Sequence, residues 1–172
     1  IEVAFKGKKK DQEAQKYILA LATALEKVDV TSLTAKPLVD SVNRLKKYSD
    51  TKEISLAGLI RSFDLYAESE DEGIILHGIV PDIMGEYYCL TYLKRLSESN
   101  DSARLNAFIQ TAWEEGHSNE FKSFLIRCIN DFHQHKMTKW LLSYVPKGET
   151  SVENYSTVLR YLSLRQDIEG SE

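Results

Sequence analysis

With 172 residues, 42% of them hydrophobic, the chain can bury a core in one domain or two small ones without disulfide or metal staples. Its net charge of −4 argues against a dedicated nucleic-acid binder, and no run approaches the ~18–20 apolar residues of a membrane-spanning helix. The two cysteines, Cys89 and Cys128, each sit inside an apolar periodic stretch, which fits buried free thiols in the cytoplasm rather than a secreted disulfide scaffold.

The segment Ile1 to Phe5 alternates apolar and polar residues, as a short strand does, and Lys6 to Lys10 reads as a lysine-rich linker. An opening Ile1-Glu2-Val3, without methionine or a basic-then-apolar leader, is expected of a piece of something longer. From Asp11 the period becomes helical, with Ala14, Ile18, Leu21, Leu25 and Val28 on one stripe and Asp11 available as a cap. A second helix carries Leu38, Val39, Val42 and Leu45, with Pro37 in its first turn. A third, short helix is predicted from Asp50, where Asp50 and Glu53 can form a capping box.

Phe63 to Ala67 then alternates, Glu68 to Gly73 is polar and acidic, and Ile74-Ile75-Leu76 is rich in β-branching. These features predict a β-hairpin with a loose acidic tip; the competing reading is one helix from Glu53 to Ser69. The second half reads as uniformly helical. Pro81 suits a first helical position, and Ile83, Tyr87, Leu90 and Leu93 form the expected buried stripe. Further helices follow Asn100-Asp101 (Leu105, Phe108, Ile109, Ala112) and Ser118 as a cap (Phe121, Phe124, Leu125, Cys128, Ile129, Phe132), and Met137, Trp140, Leu141 and Tyr144 mark another that stops before Pro146. Thr150 and Glu153 make a capping box for a last one, and the polar tail from Gln166 is expected to fray.

Catalytic motifs are missing from the sequence: it has no phosphate-binding glycine loop, no nucleophile elbow and no activating base beside either cysteine. The best metal candidate, Cys128 with His133 and His135, has poor ligand spacing on a helix, so no metal site is expected. His117, next to Gly116, reads as a helix C-terminal residue. The acids Glu68, Glu70, Asp71 and Glu72 would repel a phosphate backbone, although Lys36, Arg44, Lys46, Lys47, Lys52 and Arg61 leave a basic flank before them.

One segment stands apart. His77 ends the second hairpin strand, and Gly78-Ile79-Val80 lead directly into Pro81-Asp82-Ile83-Met84-Gly85-Glu86-Tyr87-Tyr88. A glycine inside a helix costs ~1 kcal/mol relative to alanine, so close packing at Gly85 is expected. Glu86 is expected at the edge of the stripe, capping a neighbour; if buried it would need a partner.

The Pro-Asp, Gly-Glu, aromatic order of Val80 to Tyr88 resembles a segment of STAND-class (NACHT-like) signal-transduction NTPases. There it follows the winged-helix domain and opens the helical region before the sensor repeats. Ile75-Leu76-His77-Gly78 is similar to the Met-His-Asp element of immune-receptor winged helices, with Gly78 standing in place of the aspartate. The resemblance implies that His77 senses the β-phosphate of ADP, and that Pro81, Asp82, Gly85, Glu86 and Tyr87 form a packing motif. It also implies that the NTPase core and its ADP or ATP belong to a parent protein, with roles in defence signalling such as antiviral defence in bacteria.

The expected fold is therefore mainly α: a winged-helix-like half of three helices and a β-hairpin, then an antiparallel helical bundle or the start of a helical-repeat array. The expected divisions are a strand and linker over 1–10, the winged-helix-like domain over 11–80, the bundle over 81–166 and a tail over 167–172. The expected role is a non-catalytic regulatory module that binds no cofactor by itself and contacts a protein partner or neighbouring domains. Two rivals remain: a winged-helix DNA-binding regulator and a helical protein-interaction scaffold.

Overall fold

The computed structural model describes residues 8–50, 67–70, 73–80, 82–114, 117–144 and 156. The chain is mainly helical with a small antiparallel sheet. In order, the described elements are α1 (Lys9–Ala24), β1 (Lys27–Asp29), α2 (Lys36–Asp50), β2 (Ala67–Glu70), β3 (Gly73–His77), α3 (Asp82–Glu98), α4 (Ser102–Ala112), α5 (Ser118–Phe132) and α6 (Lys136–Ser143).

Helix α1 is the centre of the molecule. From Tyr17 to Leu25 every residue is buried, as befits the near-continuous apolar run Tyr-Ile-Leu-Ala-Leu-Ala-Thr-Ala-Leu. It packs on α2 and α3 and also touches β1, β3, α4 and α5. Three tyrosine hydroxyls tie the surroundings together: Tyr17 donates to the Arg104 carbonyl at 2.7 Å, and Tyr88 and Tyr92 of α3 donate to the carbonyls of Lys16 and Glu13. One apolar cluster runs from Ala14 through Leu38, Leu76 and Leu93 to Phe124 and Leu141, so residues before and after position 81 share a core.

The N-terminal stripe ends sooner than its period suggests. Glu26 takes a left-handed turn (φ 63°), α1 stops at Ala24, and Val28 becomes the buried middle of β1 instead of the last helical position. The lysine run is shortened from the other side, because Lys9 and Lys10 already belong to α1. Asp11 lies in its first turn and accepts the Lys8 backbone N–H at 3.1 Å.

The hairpin is present and tighter than expected. β2 pairs with β3 from Ala67↔Leu76 to Glu70↔Gly73, so Glu68 and Glu70 are strand residues rather than tip residues. Because Ala67 to Ser69 is strand, a helix running unbroken from Glu53 to Ser69 is excluded. β1 adds antiparallel to the other edge of β3 (Val28↔Leu76), giving the sheet order β1-β3-β2. The described elements thus run helix, short strand, second helix and hairpin, with β1 lying beside the last strand. The strand expected at Ile1–Phe5, the third helix from Asp50, the alternation at Phe63–Tyr66 and the final helix after Thr150 lie outside the described residues.

The C-terminal helices follow their sequence periods, with two differences. His117 is the residue before α5, not the end of a preceding helix. Also, α3 buries only half of the stripe expected of it: Leu90 and Leu93 are fully buried, as expected, whereas Ile83 and Tyr87 are 54% and 58% exposed and Gly85 and Glu86 face inward in the first two turns. Gly85 lies so close to Thr23 of α1 and to the Ile79 carbonyl that no side chain fits between them.

Candidate functional site: the junction between β3 and α3

The segment singled out by sequence spans the end of β3, a four-residue connection and the first two turns of α3. Its base is locked onto the end of α1 by Thr23. The Thr23 hydroxyl donates to the Leu19 carbonyl at 2.8 Å and accepts the Ile79 backbone N–H at 3.2 Å. Gly78 donates its N–H to the Glu26 carbonyl at 2.8 Å. A Cβ on Gly78 would stand 2.6 Å from the Thr23 Cα, and one on Gly85 would stand 2.7 Å from the Thr23 methyl and 2.8 Å from the Ile79 carbonyl. Both glycines are therefore required by contact with α1. This also supplies a local reason why position 78 carries no aspartate: any side chain there would meet backbone.

Beside this base lies a charged hub that the sequence did not announce. Glu86 is 1% exposed, and its Oε1 accepts Arg127 Nε of α5 at 2.6 Å. The same guanidinium lies 3.6 Å from Asp82 and 3.5 Å from Glu26. Arg127 thus bridges the α1–β1 turn, the start of α3 and the middle of α5. Burial pushes the Glu86 carboxyl above the ordinary carboxylate range, against the pull of Arg127; nearby Asp131 and Asp82 add to the rise. Its second oxygen, Oε2, is buried without a hydrogen-bond partner. Glu86 is thus a buried ion-pair member rather than a capping residue at the stripe's edge. The signal that could have revealed its partner is Arg127 itself, one cation inside Phe-Leu-Ile-Arg-Cys-Ile.

Above the locked base the surface is apolar. Val80 is 82% exposed, and with Ile83, Met84 and Tyr87 it lies along one side of the helix start by the three- and four-residue spacing. Tyr87 also packs against Phe132 of α5, with ring centroids 6.0 Å apart. Among the described residues these four, with Tyr144, are the exposed large hydrophobics. His77 ends β3, half-buried, opposite Lys27 of β1. Asp82 opens α3 and is exposed, and Pro81 lies outside the described residues.

The other expected chemistry is not assembled. Cys89 and Cys128 are free and buried, and burial pushes both thiols far above their ordinary value, which leaves them unreactive. Among the described residues no group of three His, Cys, Asp or Glu side chains could hold a metal. His135 is used otherwise: its Nδ1 accepts the Met137 N–H at 3.2 Å and caps α6. On the basic flank, Arg44 pairs with buried Asp11 at 2.9 Å and Lys36 with Asp40 at 3.1 Å, while Lys52 and Arg61 lie outside the described residues. No described helix is long and apolar enough to cross a membrane. Comparison with protein-family models, with curated proteins and with solved structures gives no match to this chain.

Proposed function

We propose that the chain is a non-catalytic regulatory module of a larger signalling NTPase, and that the β3–α3 junction is where it docks on a neighbouring domain. The observation that carries this reading is the contrast within a few residues: a base sealed by Gly78, Gly85 and Thr23 beneath four exposed apolar side chains. Four large apolar side chains exposed within eight positions, on an otherwise well-packed protein, favour a contact surface. A base that cannot deform passes a push on that surface to α1 and, through Arg127, to α5.

The resemblance of Val80 to Tyr88 to the linker of STAND-class NTPases supports the same reading, as does the helix–strand–helix–hairpin order. In that setting the ADP or ATP would sit in the neighbouring NTPase, with His77 at the strand end nearest to it, and defence signalling would be the cellular role. The pairing of Arg44 and Lys36 with acids supports DNA binding less well. The exposed junction also suits a helical interaction scaffold with no NTPase attached.

The test is made in the natural protein that contains this chain. Ile83→Asp with Tyr87→Asp is expected to change its nucleotide exchange or hydrolysis rate several-fold while leaving the folding of this region intact. An unchanged rate would contradict the regulatory reading.

A further inference from the structure

Resting on that reading of the junction, we infer that the docking partner presents an apolar segment flanked by lysine or arginine. The inference comes from the rim of the patch. Asp82 lies between Val80 and Ile83 in the chain, with a side chain 63% exposed, and Glu26 beside it is 57% exposed. Asp131, exposed on α5, lies next to Phe132, on which Tyr87 rests, and within electrostatic reach of Glu86. Three exposed carboxylates (Glu26, Asp82, Asp131) stand at this border, against the partly buried Arg127 and Lys27, which follows Glu26 in the chain; with Glu86 buried in its ion pair, the border keeps a net charge of −1.

Arg127 is also taken from solvent by its partners, with a side chain only 26% exposed, so the charge offered outward is acidic. A partner with a basic border would be steered to this face and held in register there, whereas an acidic border would be repelled. The same argument disfavours a second copy of this chain, because a symmetric pair would place two acidic rims together.

The probes are two synthetic helical peptides with the same leucine face, one flanked by lysines and the other by glutamates. Their binding to the chain is read by fluorescence anisotropy. The lysine peptide is expected to bind at least tenfold more tightly at low salt, and the gap should close as salt screens the rim. Asp82→Asn with Asp131→Asn should remove most of the gap without abolishing binding, and Ile83→Asp should abolish binding of both peptides.

Equal affinity for the two peptides would overturn the inference and leave the docking surface standing. Binding that survives Ile83→Asp would overturn it as well, because the peptide would then sit elsewhere. Self-association of the chain that Ile83→Asp abolishes would assign the face to a second copy instead. Failure of both peptides to bind at any accessible concentration would count against the docking surface itself.

Discussion

The two halves of α3 are built from similar residues and used in opposite ways. From Cys89 to Leu96 its apolar side chains are sealed against α1 and α4–α6, with Leu90 and Leu93 fully buried. From Asp82 to Tyr87 the inward face is made instead of a glycine and a carboxylate, and the apolar residues point outward. A helix whose sole task was packing would bury Ile83 and Tyr87. The first two turns instead use their inward face for close approach and an ion pair, and Ile83, Met84 and Tyr87 stay exposed.

That contrast can be broken from either side. The largest effect is expected in the packed half: Leu93→Ala should lower the unfolding free energy by about 3 kcal/mol in chemical denaturation, because the buried site can collapse only partly. Next come the elements that lock the base. Arg127→Ala leaves the buried Glu86 without its cation and should cost about 2 kcal/mol near neutral pH, less than a fully enclosed pair because Arg127 is partly exposed.

The pH dependence of that loss follows from the direction of the Glu86 shift. A carboxyl raised in the folded state binds its proton more firmly there than in the unfolded chain. Its contribution to stability is therefore greatest at low pH and declines as pH rises from its ordinary value of 4.5 through the folded one. Removing Arg127 raises the Glu86 value further, so the Arg127→Ala deficit should shrink as pH falls toward 4.5. A deficit independent of pH would mean that Glu86 is not the group left exposed to the change.

Gly78→Ala should cost about 2 kcal/mol, because the new methyl meets the Thr23 backbone, which has no flexible end to give way. The smallest effect is expected on the outer face: Ile83→Ser and Met84→Ser should stay within about 0.5 kcal/mol of wild type in thermal unfolding. A loss of 2 kcal/mol there would show that these side chains are core after all.

Much of this architecture was legible. The periods of α2, α4, α5 and α6 stand in the sequence because each helix has one apolar face and meets the core with it. The second strand of the hairpin showed in the β-branched Ile74-Ile75, whereas the first, Ala67 to Glu70, lies largely in the acidic stretch expected to be the tip. What failed did so for physical reasons. Val28 continued the helical spacing of α1, but the left-handed turn at Glu26 moved it into β1; helical period says nothing about a turn that glutamate rarely makes. Leu90 and Leu93 of the α3 stripe are buried as expected, but its first half was misplaced: Ile83 and Tyr87 fit the spacing, whereas the true inward residues there, Gly85 and Glu86, find their partners in Thr23 and Arg127. The partnership between Glu86 and Arg127 spans 41 positions in the chain, a pairing that local pattern cannot reveal.

The most direct test of the docking claim is amide hydrogen exchange across Asp82 to Tyr87, measured in this chain alone and in the larger protein proposed to contain it. In the isolated chain the first turn of α3 lacks helical acceptors for its N–H groups and should exchange quickly. If the junction is a docking surface, exchange there slows at least tenfold in the larger protein, while Leu90 to Leu96 keeps the same rates. Equal rates at the junction in both settings would contradict the account.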